Sequence, residues 1–270
     1  MTDTPSKSRR PRFEPHELIL SEVADDDLLS IVPFPASAIQ APSIVNAWQA
    51  EGYYAAFGQD WFDRIEPLNL RPSDHSLPKR RFAERMKPWI REPHTRWTKI
   101  TLSSQSADFD PSNPNRVIGH AGWLLPARTQ HEVVNFWRKD ASDELNWRQK
   151  MGWSKEYEDE LWSHVNLEVY QDQGFIVWDR NRKANVGGIP HWHLAPLWVH
   201  PAFQGRGVAS VLLKDGIELA EKTDERPVMY LEAMPDARVV YRHFGYVGIK
   251  AHGSNVMIRN PPLGIEILDS

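Results

Sequence analysis

Cysteine is absent from this 270-residue chain, and the absence removes several kinds of chemistry. No disulfide can staple the fold, no thiolate can act as nucleophile, and no thiolate zinc site can form. Long hydrophobic runs are missing too. Nothing approaches the roughly 20 consecutive apolar residues of a membrane-spanning helix, and the N-terminus has no apolar signal core. The expectation is a protein with no membrane partner and a cytoplasmic location. The lack of disulfides adds little to that, and the basic Lys7, Arg9, Arg10 and Arg12 leave a nuclear location open. An excess of positive charge is also lacking. The formal net charge of -4 argues against a nucleic-acid partner.

What is present is ordinary in bulk and unusual in one respect. A hydrophobic share of 41% and a charged share of 25% fit a globular chain long enough for one large or two small domains. The 12 tryptophans stand out, many beside charged residues, as at Trp137, Trp147, Trp153 and Trp162. Large aromatics bury much area each, so packing of helices is the preferred reading over an aromatic binding stripe.

Residues 1–16 are rich in Pro, Ser, Lys and Arg and are expected to be a disordered tail. Residues 17–23 alternate as a strand, and Asp25, Asp26 and Asp27 then cap a short helix. Residues 43–58 carry a helical apolar pattern, and a basic helix over 79–87 is expected to stop ahead of Pro88. Residues 97–102 and 117–125 read as strands around a turn-rich segment. Residues 132–170 are charged, Trp-rich and helical in pattern, with no internal repeat.

The most telling stretch is 194–220, which reads LAPLWVHPAFQGRGVASVLLKDGIELA. A short apolar strand leads into a Gly-bearing turn, Gln204-Gly205-Arg206-Gly207-Val208-Ala209, and then an amphipathic helix. The first N–H groups of a helix lack partners and carry partial positive charge, so such a turn favours a phosphate. Glycine allows the backbone to approach it. A P-loop would need Gly-Lys-Ser/Thr and a dinucleotide fold G-x-G-x-x-G, and neither occurs here. A second strand follows over 228–233, then a short helix carrying A-x-x-x-Y-x-x-x-G-Y from Ala237 to Tyr246.

Strand, Q-x-x-G-x-A, helix, strand and A-x-x-x-Y-x-x-x-G-Y together resemble the GNAT (Gcn5-related) N-acetyltransferase superfamily, over about residues 192–249. The resemblance implies an α/β fold with a mixed, centrally splayed β-sheet flanked by helices. Residues 17–270 would form a single GNAT-like domain carrying a helical, Trp-rich insertion at about 130–185. It implies transfer of an acetyl group from acetyl-CoA, the cosubstrate, to an amine by direct attack in a ternary complex. The alternative is a non-catalytic acyl-CoA-binding or protein-interaction module on the same fold. The amine, the length of the acyl group and the choice between monomer and homodimer stay open.

Site residues follow from the same resemblance. The pyrophosphate would lie on Gln204, Gly205, Arg206, Gly207, Val208 and Ala209, with the Arg206 side chain turned toward it. Backbone groups of Leu197, Trp198 and Val199 would hold the pantetheine, and the Leu197 N–H would face the thioester oxygen. Pro196, which has no N–H to give a ladder, fits a place where strand pairing fails. Tyr241 matches the tyrosine that protonates the departing thiolate. Met234 stands where many members carry an asparagine.

The base is left between His193 and Glu232. His193 resembles the first histidine of the His-x-His in serotonin N-acetyltransferase, whose second falls on Ala195 here. As a base it would titrate near about 6.5. Tyr53, Tyr54, Phe57 and Trp61 could line an acceptor pocket. No metal is expected, since His200 has the opposite strand parity to His193.

Overall fold

Short apolar runs bounded by turn formers become the strands of one mixed sheet. The structure is a computed structural model and describes residues 10–31, 63–74, 76–126, 135, 137–252 and 255–269. The helix expected over 43–58, with Tyr53, Tyr54, Phe57 and Trp61, lies outside the described residues. The strands are β1 (Leu18–Glu22), β2 (Thr95–Leu102), β3 (Val117–Leu124), β4 (Trp192–Val199), β5 (Met229–Glu232), β6 (Tyr246–Ile249), β7 (Val256–Arg259) and β8 (Ile267–Asp269). Their order in the eight-stranded sheet is β1-β2-β3-β4-β5-β7-β6-β8. Among the described residues only β4 and β5 pair in parallel; the other pairs are antiparallel.

That parallel pair is brief. Trp192 pairs with Met229 and His193 with Tyr230, and beyond them β4 continues with no strand partner on this side among the described residues. Its other edge stays on β3, but with a defect: Ala121 pairs with Leu197 and Trp123 with Leu194, so β4 carries one extra residue. The bulge falls at Ala195 and Pro196, as the missing proline donor leads one to expect. The sheet is therefore splayed at its centre.

The helices are α1 (Leu28–Ile31), α2 (Leu77–Arg91), α3 (Ala141–Glu144), α4 (Trp147–Met151), α5 (Lys155–Trp162), α6 (Ile176–Val186), α7 (Val208–Thr223) and α8 (Arg238–His243). A wide helical turn over Glu168–Phe175 leads into α6. Helix α2 runs through Pro88 rather than stopping before it. The apolar face formed by Pro78, Phe82, Ala83, Met86 and Trp89 is buried, and burial outweighs the one lost backbone bond. Among the described residues no helix is long and apolar enough to cross a membrane.

Strand alternation sorts side chains onto two faces. Trp123, Trp192, Leu194, Met229 and Leu231 pack with Leu212, Leu213 and Ile217 of α7. The approach is so close that a Cβ on Gly216 would sit 2.3 Å from the Trp123 indole nitrogen. Against another part of the sheet, α2 and the 137–175 segment form a second core containing Trp89, Trp97, Trp137, Trp147 and Trp162. Trp137 stacks on Phe175 at 5.8 Å and tilts against Trp89 at 4.7 Å. These tryptophans thus serve packing.

The tail expected to be disordered over 1–16 is not so from Arg10 onward. Phe13 is buried, and its N–H donates to the Arg206 carbonyl at 3.1 Å. Ser103 donates its hydroxyl to the His16 carbonyl at 2.7 Å. A buried aromatic and paired backbone groups fix the segment, which composition alone does not reveal.

Candidate active site

The turn before α7 needs glycine twice. Gly205 has φ 73° and Gly207 has φ 95°, both in the left-handed region that side chains avoid. Gly207 is the N-cap of α7, so the free N–H groups of the first turn open beside it. Gln204 ties the turn back to the strand, donating its Nε2 to the Val199 carbonyl at 3.1 Å.

Arg206 does not do what its position suggests. Its Nε donates to the Pro11 carbonyl at 2.9 Å and its Nη1 to Asp108 at 2.6 Å. Its guanidinium lies 3.7 Å from the centroid of Phe13, and the residue is buried. An Arg so satisfied clamps the N-terminal segment and is not aimed at a phosphate. The Arg12 guanidinium does come to the turn: its Nε and Nη2 lie 3.3 Å from where a Cβ on Gly207 would be.

Leu197, Trp198 and Val199 pair with Ala121, His120 and Gly119 of β3, leaving their other edge toward the gap where β5 has turned away. His120 lies between Trp97 and Trp198, with ring centroids at 6.4 and 5.6 Å. Burial pushes its imidazole down to about 4, so it is neutral at physiological pH.

At the fork of β4 and β5 the faces separate. Trp192 and Leu194 point toward α7, while His191 and His193 lie against Tyr230, with centroid distances of 6.1 and 5.6 Å. The His193 Nδ1 is 2.9 Å from Arg182 Nη1, and its Nε2 is 3.2 Å from Glu232 Oε2. A guanidinium only donates, so Nδ1 accepts; the ring proton is then on Nε2 and is donated to the carboxylate. Arg182 also donates to Asp179 at 2.9 Å, and Asp179 receives Arg138 at 3.0 Å. The two base candidates are thus one pair, anchored from behind by α6.

Burial and the Arg182 charge hold His193 below the ordinary imidazole value. For Glu232, burial raises the carboxyl, but the His193 hydrogen bond, Tyr230 and Arg182 outweigh it and the net direction is down. His193 is buried, whereas the Glu232 side chain keeps 30% of its exposure. His191 donates its Nδ1 to the Ile189 carbonyl at 2.7 Å, and burial pushes it down to about 4.

Tyr241 lies in the core on the α7 face, 6.0 Å from the Tyr246 ring, and burial pushes its phenol up to about 12. His200 bonds elsewhere: its Nε2 is 2.7 Å from Arg116 and its Nδ1 accepts from the Ala202 N–H. Among the described residues no cluster of three His, Asp or Glu could hold a metal ion. Sequence reasoning missed Arg12, Asp179 and Arg182. Asp179 and Arg182 are spaced i, i+3 on a helix, which looks like any solvated ion pair.

Residues 123–246 match the model of the Acetyltransferase (GNAT) family. Comparison with curated proteins gives no match. Among solved structures the chain is similar to a protein described as histone acetyltransferase HPA2 and related acetyltransferase from Corynebacterium glutamicum. Identity is 18% over 92% of this chain and 98% of that one, with a TM-score of 0.44. It is also similar to a GNAT family acetyltransferase from Brucella melitensis in complex with acetyl-CoA, at 12% identity, 93% and 95% coverage and a TM-score of 0.38. A third is arylalkylamine N-acetyltransferase 2 from Aedes aegypti, at 14% identity, 87% and 84% coverage and a TM-score of 0.35.

Proposed function

We propose that this chain, whose residues 123–246 match the GNAT acetyltransferase family, transfers an acetyl group from acetyl-CoA to an amine by direct attack in a ternary complex. One observation carries the reading. The glycine turn at the start of α7 stands at the end of β4, on the strand whose free edge opens where β5 diverges. The turn suits a pyrophosphate, and the free edge suits the amides of pantetheine.

In this reading the amine nitrogen attacks the thioester carbon. A C–N bond forms, the carbonyl oxygen takes the charge beside the Leu197 N–H, and the C–S bond then breaks. Glu232 receives the proton of the attacking amine, and Tyr241 gives its proton to the thiolate. The phenol suits that role, since burial holds it protonated far above neutral pH. Tyr241 belongs to the α7 face and Glu232 to the other, so acid and base stand on opposite faces of the sheet. Glu232 is preferred to His193 because both imidazole nitrogens of His193 are engaged and Glu232 is the member of the pair whose side chain keeps some exposure.

Thiol release with acetyl-CoA across a panel of amines, with mass detection of the amide, tests the reading. CoA binding without acetylation of any amine would favour the non-catalytic alternative. Tyr241→Phe is expected to lower turnover by about tenfold to a thousandfold with CoA affinity retained; turnover within about twofold of wild type would make the phenol structural. Arg12→Ala is expected to weaken CoA binding by about fivefold to twentyfold, more at low salt. Binding of acetyl-pantetheine, which lacks the pyrophosphate, should not change. An equal loss for both ligands would assign Arg12 to the fold and not to the phosphate.

A further inference from the structure

A buried charge line runs from the Trp-rich insertion to the fork of β4 and β5. Glu232 meets His193, His193 meets Arg182, Arg182 meets Asp179, and Asp179 meets Arg138. Arg182 is 1% exposed and Asp179 3%. Burying a guanidinium is costly unless it is well paired, and cheaper apolar residues would pack α6 as well. The line reaches solvent at both ends, through the Asp140 side chain beside Arg138 and through the partly exposed Glu232 side chain at the fork.

We propose that Arg182, carried by the insertion, is a positioning residue that fixes His193 as a neutral Nε2–H donor and so keeps Glu232 aimed and ready to receive the acceptor's proton. This rests on the acetyl-transfer reading for its consequence in catalysis, though not for the state of His193. The ring faces Arg182 and Asp179 from α6, Glu232 and Tyr230 from β5, and His191 just ahead of β4. Arg182 alone opposes protonation by charge among the α6 and β5 groups, while Glu232 and Asp179 favour it. Remove that cation and burial alone still opposes the two carboxylates, so His193 holds a second proton to higher pH. Below that raised titration point His193 pairs with Glu232 as an imidazolium and makes the carboxylate a poorer acceptor. The insertion, on this account, supplies part of the proton-handling apparatus as well as a wall.

The test uses the full chain labelled with 15N-histidine, with His193 assigned by its loss in His193→Gln. In the wild type His193 should show a bare Nδ1 and a protonated Nε2 at neutral pH. In Arg182→Gln, which keeps a donor and loses the charge, its titration should move up by about one pH unit or more. Arg182→Lys, which keeps the charge, should stay near wild type. With a cognate amine, Arg182→Gln should gain an acid limb in kcat that follows the His193 titration, with CoA affinity unchanged. An Nδ1–H tautomer or an imidazolium in the wild type would overturn the proposal, and that holds even if Arg182→Gln fails to fold. So would a folded Arg182→Gln whose His193 titrates as in wild type. Should CoA not bind the wild type at all, the acetyl-transfer reading fails while the resonances of His193 still decide this one.

Discussion

Gly207→Asp is expected to leave a folded protein that binds CoA at least about a hundredfold more weakly, through charge repulsion of several kcal/mol at contact distance. Gly207 has φ 95°, so any side chain there is strained. The cost for a non-glycine is about 1–3 kcal/mol, which a domain with typical stability survives. The new Cβ would lie 3.3 Å from the Arg12 guanidinium, the far end of an exposed and flexible side chain that can shift. The added carboxylate would pair with Arg12 and sit at the N-terminus of α7, where a negative charge is welcome. It therefore occupies, with the protein's own anion, the place meant for the pyrophosphate. Gly207→Ala shares the strain and lacks the charge, so its loss should be much smaller. Calorimetry with CoA on both variants separates the two effects. An Asp variant that binds like wild type would remove the phosphate from this turn, and with it the proposed function.

Local constraints were legible in the chain, and long-range ones were not. The turn could be read because a left-handed φ calls for glycine and the flanking strand and helix show their periods directly. The defect in β4 could be read because Pro196 has no donor to give, and the bulge lies at that residue. The side chain of Arg206 could not. Its fate depends on Pro11, which is 195 positions away, and on Phe13, which no local pattern marks as buried. The same holds for Arg182. Its face of α6 looks solvated in sequence, and only the packing of that helix against β4 and β5 buries it. His193 and Glu232 looked like rivals because they lie 39 residues apart. The parallel register that sets His193 against Tyr230 brings them together. In α2 the rule that proline ends a helix gave way to tertiary burial of Trp89 and its neighbours.

Glu232→Gln is expected to lower kcat by about a hundredfold to a thousandfold for a strongly basic acceptor, within the range for general-base help. CoA affinity should hold, since the turn before α7 is untouched. Glutamine keeps the shape and can still accept the His193 Nε2–H through its amide oxygen, so the loss would report proton acceptance and not packing. The pH profile sharpens the test. Glu232 lies below the ordinary carboxylate value and is ionised wherever the enzyme works. His193 lies below the ordinary imidazole value, so the limb near about 6.5 expected for an imidazole base is not expected from it. The rise of kcat/KM with pH then belongs to the acceptor, because only the neutral amine attacks, and the rate falls as pH drops through the amine's pKa. Acceptors of lower pKa should carry that limb to lower pH in step. In Glu232→Gln the limb should keep its position while the whole profile drops. A limb that stays fixed as the acceptor changes would point to an enzyme group and return His193 to the role of base. A Gln variant within about twofold of wild type would leave Glu232 as a partner of His193 and nothing more.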